Sequence, residues 1–315
     1  YKRQITTSKV RVGVTRYTLR NIVIAEMCFY HYDPIEDDVM ALYADDLHTQ
    51  LKDTVTEAEI NALQTRLDTK DEKSGEYHPE RAEIQKELDN ARGLLDASLR
   101  ETITINPAIT AAKDKHVGFS GLNAWQPLGV SAYAGERVVI YVGHNTKKAG
   151  ESTNLRLVAT QYHAESSSVK QVVTTLKVGR NEVTIPKLQS LAAESGGVLY
   201  VEYTGNNAND KYAVRVSGGT KIPVLNLYGV KDSERSAKVL KYVEELEDTV
   251  AALKETHQKN HVDGVEAGAG ADRDYDAQNC IAGATDMMLD QMMYSVSSEQ
   301  ILNCLLYTSD AADEA

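Results

Sequence analysis

SGLNAWQPLGVSAYAGERVVIYVG, residues 120–143, decides the fold of this chain. Two apolar runs are parted by Ala134-Gly135-Glu136, a turn of the Gly type, and the second run, Val138 to Gly143, is β-branched and aromatic. The pattern continues on the C-terminal side. LRLVATQY (155–162), QVVTTLKV (171–178), NEVTIP (181–186), GVLYVEYTG (197–205) and YAVRVSGG (212–219) are short runs divided by Gly, Asn and Pro. Their spacing is that of a sandwich, and 102–228 is long enough for one core.

On either side the period changes. In 54–69, Ile60, Leu63 and Leu67 fall at helical steps, with Thr54 or Thr56 placed to cap the start. In 79–100, Ile84, Leu88, Ala91, Leu95 and Leu99 follow at steps of 4, 3, 4 and 4, Pro79 suits the first turn, and Ser74-Gly75 makes the turn between. The segment 34–101 thus reads as a charged helical hairpin with a narrow apolar stripe, a spacer. After the sandwich, Val239, Val243, Leu246, Val250 and Leu253 mark a long helix ending near His257. A Gly/Asp-rich loop (264–279) follows, and TDMMLDQMMYSVSSEQILN (285–303), with four of the six methionines, reads as a further helix with a core-filling Met stripe. Residues 9–14 and 21–33 read as strands, too few to bury a core alone. The expected fold class is α+β and multi-domain: an antiparallel β-sandwich flanked by a helical hairpin and by the first helices of a helical domain.

Composition narrows the functions. With 34 Lys+Arg against 46 Asp+Glu the 315 residues carry a net charge of −12, which argues against a nucleic-acid partner. The 42% hydrophobic and 25% charged fractions are those of a globular chain, and no run approaches the ~18 apolar residues of a membrane span. Aromatics are lopsided, 17 Tyr to 2 Phe and 1 Trp, a hint of exposed β structure. Cys28, Cys280 and Cys304 lack the CxxC spacing of a thiolate zinc site, and free thiols are expected rather than a bridge between Cys28 and Cys280.

No catalytic constellation is complete, and no catalytic, cofactor-binding or metal-ligating residue is nominated. His257 and His261 stand at i, i+4, but the string is HQKNH; Gln258 cannot act as a base, and no HExxH occurs in the chain. Asp272, Asp274 and Asp276 open like a calcium loop, yet Ala277 and Gly283 stand where an EF-hand needs Gly and Glu. Gly264, Gly268 and Gly270 lack the strand before and the Lys-Ser/Thr after them of a phosphate loop. Trp125 and the sandwich tyrosines read as packing residues.

The stretch 120–143, with IPVLNLYGVKDSERSAKVLKYVEELEDTV (222–250) and NCIAGATDMMLDQMMYSVSSEQIL (279–302), resembles the enhancin-like, mucin-degrading zinc metallopeptidases (peptidase family sixty) where they pass from a β-sandwich into a helical catalytic domain. TSKVRVGVTRYTLRNIVIAEMCFYHYD (7–33) resembles the closing strands of a discoidin-like, galactose-binding-like module, and CLLYTSDAADE (304–314) resembles a translated sequencing adapter. The resemblance implies five segments: 1–33, the end of a discoidin-like sandwich; 34–101, a spacer; 102–228, the peptidase's N-terminal sandwich; 229–303, the start of its catalytic domain; and 304–315, an artefact. It implies a piece of a secreted or surface bacterial peptidase that cleaves glycoproteins such as mucins and contacts host glycans. Zinc is expected in the parent protein and not in this chain, which is expected to be inactive. The alternative is a non-enzymatic carbohydrate-binding adhesin.

Overall fold

The computed structural model describes residues 33–72, 75–105, 125–161, 169–186, 196–207, 209–262, 283–289 and 292–313. The expectations for 1–32, the loop 264–279, Cys28 and Cys280 lie outside them.

The expected sandwich is present. One sheet holds β1 (Ile103–Ile105), β3 (Arg137–His144), β6 (Gly179–Thr184) and β8 (Tyr212–Ser217) in the order β1-β8-β3-β6. The other holds β2 (Trp125–Ala132), β4 (Ser152–Gln161), β5 (Val169–Lys177), β7 (Gly197–Tyr203) and β9 (Thr220–Lys221) in the order β5-β4-β7-β2-β9. Every pairing within the two sheets is antiparallel. Alternate residues point inward: Val138, Ile140 and Val142 of β3 meet Leu155 and Leu157 of β4 and Leu199 and Val201 of β7 in one core.

The outward residues of the central strands are buried as well, because the middle of each sheet is covered on its far side; Val172 of β5 and Arg180 and Glu182 of β6, at the sheet edges, stay exposed. On the four-stranded sheet lie α1 (Ile35–Met40), α2 (Glu57–Leu67) and α3 (Arg81–Leu94). Their stripe of Ile35, Val39, Ile60, Leu67, Ile84, Leu88 and Ala91 closes over Tyr141, with Val139 packed alongside. The helical hairpin therefore does not stand apart as a spacer; its apolar face is spent on β3. Thr56 caps α2, its hydroxyl accepting the Glu59 N–H at 3.3 Å. Gly75 makes the turn between α2 and α3 with a φ of +71°. α3 starts two residues after Pro79 and stops short of the expected end: Leu95 is exposed, and Asp96 turns the chain by accepting the Ser98 N–H at 2.9 Å.

On the five-stranded sheet lies a third, small sheet, β10 (Val224–Asn226), β11 (Ala284–Leu289) and β12 (Met292–Ser297), in that order. β10 pairs with β11 in parallel, and β11 with β12 antiparallel. This corrects the single helix expected over 285–303. β11 is covered on both faces, Ala284 meeting Trp125, Val158 and Tyr200 of the sandwich while Met287 meets the helices beyond, whereas β12, at the sheet edge, leaves Tyr294 and Val296 exposed. A strand buried on both sides loses its alternation and reads as a plain apolar run, which periodicity cannot tell from a helix. Helix starts only after Ser297, whose hydroxyl accepts the Gln300 N–H at 3.3 Å. That helix, α5 (Ser298–Asp313), continues past the expected end at 303, and Leu305 extends its packed stripe. The long helix α4 (Asp232–Val262) packs Tyr242, Leu246 and Val250 against Leu225, Leu227 and Leu302.

Two features dock the helical layer. Gly143 of β3 passes directly under the Leu47 carbonyl and the Thr49 side chain, where a Cβ would collide with both. Glu87 of α3, buried, accepts the Ala149 N–H of the sandwich at 3.0 Å and the Tyr43 hydroxyl at 3.3 Å, with His48 Nδ1 at 3.5 Å. Burial alone would push this carboxyl up, but His48, the Ala149 N–H and Tyr43 together hold it below its usual range.

We expect Gly143→Ala to lose about 1–3 kcal/mol through overpacking, read by calorimetry as a melting point lower by several degrees. Glu87→Gln should lose about 1–2 kcal/mol at pH 7 in denaturant titrations. A lowered carboxyl stabilises above its unfolded pKa of about 4.3 and ceases to as the pH falls, so the gap between Glu87→Gln and the parent should close on acidification.

Candidate functional site

A groove of about 660 Å³ runs between the edge of the sandwich and α4, a size that suits a ligand. Three sheet edges border it: β1, β9 and β10, each terminal in its sheet. A bulge in β2 shapes its floor. The register of β2 shifts between Pro127 and Val130; Pro127 has no N–H to give a ladder, and Gly129 turns at a φ of +64° so that its carbonyl accepts the Ile222 N–H at 3.0 Å. Leu128, Leu225 and Met288 give the lining its apolar part.

The rim is cationic. Arg100, Lys221, Lys238 and Lys241 face two carboxylates, Glu101 and Glu245, in a chain whose net charge is −12. Arg100 is fixed by donating to the Gly218 and Gly219 carbonyls at 2.6 and 2.8 Å, and burial draws its guanidinium below the usual range. Lys221 pairs with Glu245 at 3.2 Å and Lys241 reaches Glu101 at 3.7 Å. The Tyr242 hydroxyl on the wall is engaged by Thr285 Oγ1 at 2.9 Å. The groove thus offers positive charge and open strand edges to an extended anionic ligand, a binding chemistry with no nucleophile and base paired across it.

Elsewhere the buried polar groups fasten loops. His144 Nδ1 accepts the Thr146 and Lys147 N–H groups at 3.0 and 3.1 Å, so its proton sits on Nε2, which faces Asp210 Oδ1 at 3.8 Å. Burial pushes this imidazole down, and Asp210 opposes the shift. Asp210 in turn accepts the Tyr203 hydroxyl at 2.9 Å.

Of the residues singled out by sequence, Asp272, Asp274, Asp276, Gly264, Gly268 and Gly270 lie outside the described residues. His257 and His261 fall on the last turns of α4. Trp125 is 3% exposed and packs against Tyr200 at 5.7 Å between ring centres, so it offers no face to a sugar. Tyr43, Tyr141, Tyr200, Tyr203, Tyr212 and Tyr242 are buried too, whereas Tyr77, Tyr133 and Tyr294 are exposed. Among the described residues no three His, Cys, Asp or Glu side chains converge as metal ligands, and no helix is long and apolar enough to cross a membrane. The groove escaped sequence reasoning because its cations come from segments some 140 positions apart.

No protein-family model and no curated protein matches the chain. Its solved structural neighbours include metallopeptidases. A structure of the CBM32-1, CBM32-2 and M60 catalytic domains of ZmpB from Clostridium perfringens matches 89% of this chain and 26% of its own, at 19% identity and a TM-score of 0.52. A metallopeptidase from Bacteroides thetaiotaomicron matches 89% of this chain and 38% of its own, at 15% identity and a TM-score of 0.42. The M60 catalytic domain of C. perfringens ZmpC, solved in complex with the sialyl T antigen, matches 66% of this chain and 36% of its own, at 16% identity and a TM-score of 0.44. The chain spans about a quarter of the length of the ZmpB chain. It shares the fold of that portion of ZmpB.

Proposed function

We propose that this chain is the non-catalytic front of a secreted or surface bacterial zinc metallopeptidase that acts on glycoproteins such as mucins. The observation that carries this reading is the fold likeness to ZmpB over 89% of the chain, in a direction the sequence resemblance also takes. In the division we favour, 1–33 closes a discoidin-like module, 34–101 and 102–228 form the helical layer and the sandwich, 229–303 enters the catalytic domain, and 304–315 derives from an adapter.

Peptide hydrolysis in such an enzyme uses zinc to activate water. The residues present here do not fit that role: the sequence has no HExxH, and no three ligand side chains converge among the described residues. The chemistry is therefore assigned to a part of the parent protein outside these 315 residues, and what this chain contributes is binding. Its cation-rich groove suits an acidic glycoprotein strand, because charge of one sign along a cleft raises the local concentration of a ligand of the other.

Genomic sequence running on from Leu302, read from an independent assembly, should contain HExxH with a distal Glu; a stop codon or an unrelated domain there would sink the proposal. Metal analysis of the purified chain should find well under one zinc per molecule, and one tight zinc would show that a site lies here after all. The chain should bind a sialylated mucin in biolayer interferometry, several-fold more weakly after Lys238→Glu with Lys241→Glu and in high salt. Binding indifferent to both changes would remove the groove from the account.

A further inference from the structure

Asp286 lies in the middle of β11 with no exposed surface. Its backbone N–H donates to the Pro223 carbonyl at 3.2 Å, joining β11 to the start of β10. Its side chain turns to the sandwich, where Oδ1 accepts the Tyr200 hydroxyl of β7 at 2.8 Å. That hydroxyl also lies 3.3 Å from Ser295 Oγ of β12. Oδ2 meets no hydrogen-bond partner. The titratable groups around Asp286 are Tyr200 and, on α4, Tyr242, which is tied to the neighbouring Thr285. The same face of the sandwich carries Arg156 of β4 and Glu202 of β7, paired to each other at 2.9 Å, and among the described residues no Lys, Arg or His charge shifts this carboxyl.

A carboxylate in that position is a buried charge with one firm donor, an orphan oxygen and no counter-ion, a costly arrangement. The protonated acid is far cheaper. Burial accordingly pushes the carboxyl up to about 6, against a smaller opposing pull from Ser295 and Tyr200. The apolar contacts holding the small sheet down are limited, chiefly Ala284 and Met293 against Trp125, Val158, Val198 and Tyr200. The charge therefore falls directly in the junction between the small sheet and the sandwich.

We propose that Asp286 makes the seating of the β10–β12 sheet on the sandwich pH-sensitive: the sheet is held firmly when the carboxyl is protonated and opens more readily when it is ionised. A carboxyl raised on folding favours the seated form at low pH. That contribution fades as the pH climbs from about 4, where the exposed acid titrates, to about 6, and is absent above.

Hydrogen exchange of the whole 315-residue chain, measured from pH 4.5 to 7.5 and corrected for intrinsic rates, tests this. Opening of β11 and β12 amides should rise roughly tenfold or more, a two-unit displacement allowing about a hundredfold at most. Amides of β3 and β8 should not follow. In Asp286→Asn the rise should vanish. Tyr200→Phe removes a donor to the carboxylate and should move the rise to higher pH, which keeps the test decisive if Asp286→Asn does not fold. Protection independent of pH, a rise that survives in Asp286→Asn, an equal rise in β3 and β8, or no displacement in Tyr200→Phe would each overturn the proposal.

Discussion

The central strands of both sheets of the sandwich are buried on both faces, and the rest of the molecule follows from that constraint. A sandwich ordinarily keeps its outer faces in water. Here β3 gives Val138, Ile140 and Val142 to the inner core and Val139 and Tyr141 to the helical layer. β7 gives Leu199 and Val201 inward, and Val198 and Tyr200 to the small sheet. Five layers are thus stacked, counting α4 and α5 beyond the small sheet, and the buried junctions between them must settle backbone and side-chain polarity with little help from solvent. Tyrosine answers that need, with a large apolar ring and one hydroxyl that can cross a junction. Tyr43 reaches Glu87, Tyr200 reaches Asp286 and Tyr242 reaches Thr285.

The same constraint sets how much could be read from the sequence. The sandwich was legible because Gly and Asn turns punctuate it, and α2, α3 and α4 because one face of each stays wet and preserves the helical period. The β11–β12 hairpin was not, since both faces of β11 are covered and its methionines are good helix formers when context is ignored. Helix ends were read less well than helix existence: Pro79 lies outside α3, and Ser297 was a usable cap signal that the apolar run concealed. Of the candidate site almost nothing was legible. Its rim joins Arg100 to Lys241 through the fold, and Asp286 is an unremarkable acid in sequence whose character comes entirely from Tyr200 and the absence of water.

The two lines bearing on function are of different kinds. The likeness to ZmpB concerns the path of the backbone, and at 19% identity it conveys architecture. The groove concerns charge and shape on this chain. They meet in one stacked architecture whose edge carries a cation-rimmed groove. Its two covering layers differ in how they are held: the helical layer is fixed by interlocking backbone at Gly143, and the small sheet rests on a thinner contact beside a buried acid.

The parallel pairing of β10 with β11 carries a consequence for how the chain is made. Asn226 and Ala284 are partners' ends divided by the whole of α4. At a synthesis rate of about 5–20 residues per second, β10 emerges several seconds before the strand that will cover it. During that interval the outer face of β7, with Val198 and Tyr200, is complete but bare. The nascent sandwich therefore passes through a stage with a sticky flank, closed only when the last layer arrives.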